Sequence, residues 1–127
     1  MMPDVQALYA VTAATWPPAA TRALGPVTIH EGRGGGKRVS AATVTGAATG
    51  DDLDRAEAAM RALGQGPLFQ VREGDDVLDA MLEARGYRVV DPVNLHVAPV
   101  AALTGETLPR VTTFTIWEPL EIMRDIW

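Results

Sequence analysis

Glycines and basic residues are mixed between residues 32 and 38, and this run is the first candidate for chemistry in the chain. It reads Gly32-Arg33-Gly34-Gly35-Gly36-Lys37-Arg38, and a glycine loop that ends in lysine can be a phosphate-binding loop. Such a loop needs Gly-Lys-Ser/Thr leading into a helix, whereas Lys37-Arg38-Val39-Ser40 leads into a β-branched stretch. The pattern therefore favours a plain hairpin turn and leaves an anion contact as the alternative.

The histidines and a group of aspartates are the other candidates. His30 and His96 are the only histidines, and both fall in predicted strands. A Ser-His-Asp arrangement stays open, but no serine stands on a nucleophile elbow, so two ordinary strand histidines are favoured. Asp51, Asp52 and Asp54 lack the later Glu and central Gly of a calcium loop. Helix capping and a solvated helix face explain these aspartates better than a metal site.

The composition is that of an ordinary globular chain. Its 127 residues are 47% apolar and 21% charged, with a net charge of −5 and no cysteine. This length suits one domain, and the acidic balance argues against nucleic acid, whose phosphates need a basic face. Without cysteine there is no disulfide or thiolate metal site. No long apolar run and no basic leader are present, so we expect no membrane contact and a cytoplasmic location.

The first half of the chain is predicted to contain two short helices and a β-hairpin. Apolar residues at helical spacing predict a helix over Pro3–Ala14. A second helix can begin at Pro18 and end at Leu24, before Gly25-Pro26. Strands rich in β-branched residues are predicted over Val27–Glu31 and Lys37–Thr45, with the glycine loop between them.

The second half is predicted to alternate helices with strands. Asp51 or Asp52 begins a helix that runs to Leu63, and a further helix covers Val77–Arg85 and stops at Gly86. Strands are expected over Pro67–Glu73, Tyr87–Val97 and Val111–Trp117. Pro92 within the second of them suggests a bulge or an edge position.

An amphipathic helix is expected to begin at Pro119, with an apolar face formed by Leu120, Met123, Ile126 and Trp127. It shows no end signal, and an apolar face of less than three turns is marginal alone. We therefore expect a fragment in which residues 1–103 form one domain and residues 104–127 a linker plus the first strand and helix of a second unit. Alternatively, the same face meets a homodimer mate.

The order of these elements resembles the GNAT superfamily of N-acetyltransferases without its first strand. The segment Leu78–Tyr87 is similar to the superfamily's penultimate-helix signature, which Gly-Phe or Gly-Tyr closes. More closely, Gly32–Ala102 looks like the N-terminal half of bacterial proteins with two tandem GNAT-like units. The matching pieces are Lys37-Arg38, Ala56–Leu63, Gln65-Gly66-Pro67-Leu68-Phe69 and Arg85-Gly86-Tyr87.

The resemblance implies an α/β (α+β) fold with a mixed, mostly antiparallel sheet flanked by helices. It also implies that the intact protein moves an acetyl group from acetyl-CoA to an amine, by direct attack of the deprotonated amine on the thioester. The coenzyme site and the catalytic acid would then lie in a C-terminal half that packs against this one. In such proteins the acceptor groove borders the segments that hold Trp16, Arg38 and Ser40, which makes these three residues candidate substrate contacts.

Two departures from the superfamily pattern predict that this chain itself has no catalytic and no cofactor-binding residue. The coenzyme pyrophosphate normally lies on an Arg/Gln-x-x-Gly-x-Gly/Ala loop at a helix N-terminus. The equivalent stretch, Thr45–Asp52, lacks the Arg or Gln and carries Asp51 and Asp52. A carboxylate about 5 Å from a phosphate charge costs roughly 3 kcal/mol at an effective dielectric constant near 20. The second departure is Leu82, which stands where many members carry a proton-donating Tyr.

Overall fold

The computed structural model describes residues 1–113 and 115–126. Within them the chain forms five α-helices, one 3-10 helix and a three-stranded antiparallel sheet. This mixture of helices and sheet confirms the predicted α/β (α+β) class. The chain divides into two compact units, Met1–Leu95 and His96–Trp127.

The first unit holds the sheet and four of the α-helices. Its elements are α1 (Val5–Thr15), β1 (Ala20–Leu24), β2 (Val27–Glu31), α2 (Lys37–Ser40), β3 (Thr43–Val44), α3 (Gly50–Ala62) and α4 (Asp76–Ala84). The helices predicted near residues 3–14, 51–63 and 77–85 and the strand predicted at 27–31 are confirmed with small shifts in their ends. Their local signals, which are apolar spacing and aspartates in the first turn, agree with the tertiary structure.

The helix predicted over residues 18–24 is wrong, because β1 lies there. It pairs antiparallel with β2 from Leu24↔Val27 to Ala20↔Glu31. Gly25 adopts a φ of +59°, which the first central residue of a type II′ turn requires, while the fixed φ of Pro26 excludes a type I′ turn. Gly25-Pro26 therefore turns a hairpin, and pairing with β2 overrides the weak local preference for a helix.

The strand predicted over residues 37–45 is interrupted by α2. Only Thr43 and Val44 form β3, which pairs antiparallel with Thr28 and Val27 of β2. The glycine loop allows the helical turn, because a Cβ on Gly35 would lie 2.8 Å from Val39 Cγ2. The loop therefore leads into a short helix, which corrects the expected hairpin between residues 27–31 and 37–45.

The strand predicted over residues 67–73 is reduced to one bridge. Ala42 donates its backbone N–H to Leu68 O at 2.9 Å and accepts from Gln70 N at 2.8 Å, which gives a parallel bridge with Phe69. The sheet thus gains a single parallel contact beside its antiparallel strands.

The strands predicted over Tyr87–Val97 and Val111–Trp117 are also wrong, since neither segment forms a strand in the residues that the structure describes. Phe114, in the second segment, lies outside those residues. Their β-branched residues suit a strand, but strand formation depends on a neighbouring strand to pair with.

The core of the first unit joins the sheet to α3 and α4. It consists of Val27 and Ile29 of β2, residues around β3, three residues of α3 and two of α4: Ala42, Val44, Leu53, Ala56, Met60, Leu78 and Leu82. Burial of a Leu or Ile side chain contributes about 1.5–3 kcal/mol, so this cluster is the main source of stability. By contrast, no residue of α1 is buried.

The second unit contains the 3-10 helix Val100–Ala102 and α5 (Glu121–Ile126). All of its described residues are exposed, and they include Leu120, Met123 and Ile126 of the predicted apolar face. Trp127, the fourth member of that face, lies outside the described residues. In residues 1–113 and 115–126, no helix combines the length and the apolarity that a membrane crossing needs.

Candidate functional site

The N-terminus of α3 is closed by its own side chains. Thr49 Oγ1 accepts a hydrogen bond from Asp52 N at 3.2 Å, and Thr49 N donates to Asp52 Oδ2 at 2.8 Å. These two bonds form a capping box. They occupy two backbone N–H groups in the stretch that corresponds to the coenzyme loop of the resembling family.

The Asp52 carboxylate stays ionised at neutral pH. Hydrogen bonds from the backbone N–H and then the hydroxyl of Thr49 lower its pKa, and Arg55 lowers it further. The negative charge therefore sits against the positive end of the α3 dipole, where it is stabilised. A second anion at this helix end would meet that charge at close range and be repelled.

Leu82 is part of the hydrophobic core. Its residue is only 4% exposed, and it packs in the cluster that contains Leu78 and Met60. A proton donor at this position of α4 would point into the hydrophobic core. The position thus serves packing.

Tyr87 supplies a phenol near the end of α4, but that phenol is already engaged. Its hydroxyl donates to Glu57 Oε1 at 3.0 Å. Its ring packs edge-on against Phe69, with the ring centroids 5.6 Å apart. The tyrosine therefore fixes the chain after α4 against α3.

Arg85 completes this polar cluster between α3 and the end of α4. Its Nε donates to Glu57 Oε1 at 3.2 Å, and its Nη2 forms a short contact with Asp54. Burial opposes ionisation of Glu57, but hydrogen bonds from Tyr87 and Arg85 outweigh it and lower the pKa of the carboxyl. The Arg85-Gly86-Tyr87 segment, which carried part of the family resemblance, is thus explained by packing of α4 on α3.

The Tyr87 phenol is expected to make stability fall in alkali. Burial, followed by its hydrogen bond to Glu57, raises the pKa of Tyr87 to about 12 from the model-compound value of 10.0. The unfolded chain therefore loses this proton before the folded chain does. The contribution of the Tyr87 phenol to the free energy of unfolding is complete below pH 10 and is lost as pH rises toward about 12.

The measurement is urea unfolding of the wild type and of Tyr87→Phe at several pH values. The decline in unfolding free energy over this window should be steeper in the wild type, by up to about 1.4 kcal/mol per pH unit. Equal slopes in the two proteins would contradict the assignment.

Two of the three predicted substrate contacts come together. The Arg38 guanidinium carbon lies 5.3 Å from the centroid of the Trp16 ring, a cation–π geometry. Arg38 Nη2 also donates to Thr12 O at 3.1 Å and to Thr15 Oγ1 at 3.3 Å. Trp16 remains 53% exposed, so about half of this aromatic residue is accessible beside a positive charge. The same contacts also tie the C-terminal end of α1 to α2.

Ser40, the third predicted contact, opens onto a different surface. Its hydroxyl donates to Gly36 O at 2.8 Å, a local bond within the short helix. Ser40 lines an open groove of about 490 Å³ together with Lys37, the glycine loop and residues 64–68. Among the described residues that line this groove, Trp16 and Arg38 are absent.

Gln65 was not singled out by sequence, although it organises the glycine loop. Its Oε1 accepts from Gly32 N at 2.8 Å, and its Nε2 donates to His30 O at 2.9 Å. The side-chain amide thus bonds β2 as a neighbouring strand would. Because the partners lie 33 and 35 residues away, no local pattern could reveal this role.

A second aromatic contact holds α1. Arg72 lies 5.4 Å from the centroid of the Tyr9 ring, and the Tyr9 hydroxyl accepts from Glu73 N at 2.9 Å. Arg72 also donates to Val44 O at 2.7 Å, so it connects α1 with β3. One arginine–aromatic pair therefore holds α1 at Tyr9, and the other holds Trp16, the residue directly after the helix.

The two histidines occupy different units of the chain. His30 lies in β2, where burial, followed by the charge of Arg72, lowers its pKa. His96 begins the second unit, in an exposed segment.

Taken together, the described side chains offer a cation beside an indole and an open groove that Lys37 and Ser40 help to line. The charged Asp52 lies where the GNAT resemblance would place a coenzyme loop, and the buried Leu82 lies where it would place an acid. In comparisons with known proteins, no protein-family model, no curated protein and no solved structure matched this chain.

Proposed function

We propose that this chain is the non-catalytic N-terminal part of a cytoplasmic GNAT-type acetyltransferase. The intact protein would move an acetyl group from acetyl-CoA to an amine. The observation that carries the proposal is the Thr49–Asp52 capping box, which fills the helix end that resembles the coenzyme loop. The residues present there do not fit a diphosphate, so the coenzyme site belongs to another part of the protein.

Two residues near the end of α4 also support a non-catalytic role for this chain. Leu82 is buried where a family acid would stand, and the Tyr87 phenol donates to Glu57. Neither side chain can give a proton to a departing thiolate at this place. The role left for the unit is to pack beside a catalytic half and shape its acceptor groove.

The Trp16–Arg38 pair is the surface that we assign to this groove. It combines a half-exposed Trp16 with a positive charge, which are features suited to holding a planar or anionic part of an acceptor. Ser40 would contribute from the neighbouring groove, beside Lys37.

Isothermal calorimetry with acetyl-CoA tests the proposal. We expect no binding of micromolar affinity to this chain, because its own carboxylate occupies the helix end. The product of a reading frame that continues beyond residue 127 is the positive counterpart and should bind acetyl-CoA. Micromolar binding by the chain itself, or none by the longer product, would contradict the proposal.

A second candidate is a stand-alone module that dimerises without enzymatic activity. Exposed apolar residues in and just before α5 favour it, since Leu120, Met123 and Ile126 find no cover among the described residues. Light scattering on the wild type and on the Met123→Lys variant tests this candidate. It requires that the wild type is a dimer and that the variant dissociates.

A further inference from the structure

The free edge of the sheet is a place where another strand can bind. The strand order is β1-β2-β3, so β1 pairs with β2 on one side and, in the described part of the chain, with no strand on the other. An edge strand presents unpaired N–H and C=O groups, which readily accept a further strand. The only charged residue within β1 is Arg22, so little in its sequence blocks such pairing.

A small hollow lies beside this edge, between β1 and the C-terminal part of α3. Its volume is about 170 Å³, and its apolar lining includes Ile29, Ala59, Ala62 and Leu63. Arg22 stands at the rim and forms no ion pair within residues 1–113 and 115–126. Glu31 also lines the hollow, but it is paired with Arg33. Arg22 is therefore the charge without a described partner beside a mainly apolar recess.

Residues 89–95 of the same unit have the complementary pattern. In an extended chain, Val89, Val93 and Leu95 would lie on one face, while Val90, Pro92 and Asn94 would lie on the other. The three residues of the first face are exposed, as is Val90. Asp91 falls on that same face by its position. The segment thus presents an apolar surface with one negative charge.

Two further features suit residues 89–95 to a new strand. The φ of Asp91 is +51°, a conformation that is costly for a residue with a side chain, above all before proline. An extended conformation would remove this cost. The ion pair of Asp91 with Lys37 joins two side chains that are more than half exposed, and such pairs contribute little.

We propose that the free edge of β1 binds residues 89–95 of a second copy of this chain, and that the exchange is reciprocal. The strand is added parallel to β1, with Val89, Asp91, Val93 and Leu95 over the hollow and Asp91 against Arg22. In a hairpin closed by a two-residue turn, the backbone N–H and C=O of Arg22 point toward β2. The backbone N–H and C=O of Asp91, which lies opposite Arg22, then point toward β1. Pro92 has no N–H, and its backbone faces the outer side of the added strand, where proline is tolerated.

Sedimentation velocity on the full chain tests this interface between roughly 1 and 100 µM, a range suited to small interfaces. We expect a dimer at the upper end. Val93→Lys should lower the association constant about tenfold or more, because a charge would enter the apolar hollow. Val77→Lys is the matched control, since Val77 and Val93 are 75% and 76% exposed, and it should leave association unchanged.

A charge exchange tests the pairing itself. Arg22→Glu and Asp91→Arg should each weaken the dimer, and the double variant should restore most of the association. A monomer throughout the range, or a dimer insensitive to Val93→Lys, would overturn the proposal. A dimer lost only in the Met123→Lys variant would assign the contact to α5 instead. None of these outcomes depends on acetyl-CoA, so they do not bear on the proposed acetyltransferase role.

Discussion

Replacement of Leu82 by alanine is expected to lower the free energy of unfolding by about 2–5 kcal/mol. The residue is 4% exposed and contributes to the cluster that joins α4 to α3 and the sheet. The substitution removes apolar contacts and leaves a cavity that the surrounding core can fill only in part. Urea unfolding followed by far-ultraviolet circular dichroism measures the change.

Val77→Ala is the control on the same helix. Val77 is 75% exposed, so its truncation should change the unfolding free energy by no more than about 0.5 kcal/mol. Similar losses in the two variants would mean that α4 does not pack on the core through Leu82. That result would also remove the packing explanation for the residue at this family position.

Replacement of Gln65 by alanine has the second largest expected effect, a loss of about 1–3 kcal/mol. The substitution leaves Gly32 N and His30 O, two partly buried backbone groups, without their side-chain partner. The loop between β2 and α2 would then lose its connection to the chain that follows α3. We expect faster amide hydrogen exchange in residues 32–36 together with the lower stability.

Gln70→Ala offers a matched comparison for this change. Gln70 is exposed, and its backbone N–H bonds to Ala42 O independently of its side chain. Truncation there should leave both stability and loop exchange close to those of the wild type. An equal effect at Gln65 and Gln70 would contradict the assigned role of the Gln65 amide.

Helices α3 and α4 could be predicted from the sequence because their signals are local. Asp51 and Asp52 lie in the first turn of α3, and the spacing of Leu78 and Leu82 marks the buried side of α4. Capping and a period near four residues act within each helix. Tertiary packing then reinforces what these short-range patterns favour.

The strands were harder to predict because pairing partners decide them. Residues 20–24 have little strand character, yet they form β1 because β2 is joined to them through the Gly25-Pro26 turn. Residues 87–97 have strong strand character, yet they pair with no strand in the described part of the chain. β-propensity describes suitability for a sheet and does not supply the neighbour.

The residues of the candidate site also differ in how far the sequence could indicate them. Trp16 and Arg38 were selected through the family resemblance, and the structure brings them together, while Ser40 faces another groove. Gln65 lay within a matching motif, but its role depends on residues distant in sequence. The sequence indicated that Asp52 takes part in a helix cap, but the helix begins earlier than predicted and Thr49 is its N-cap residue.

The anchoring of α1 has a consequence for how the molecule opens. The helix has no buried residue and is fastened mainly where Arg38 meets Trp16 and Arg72 meets Tyr9. Contacts of this kind contribute only about 0.5–1 kcal/mol each at exposed sites. Detachment of α1 can therefore precede loss of the sheet as a separate, low-energy step, and the N-terminal helix and the α3–α4 core belong to different cooperative units.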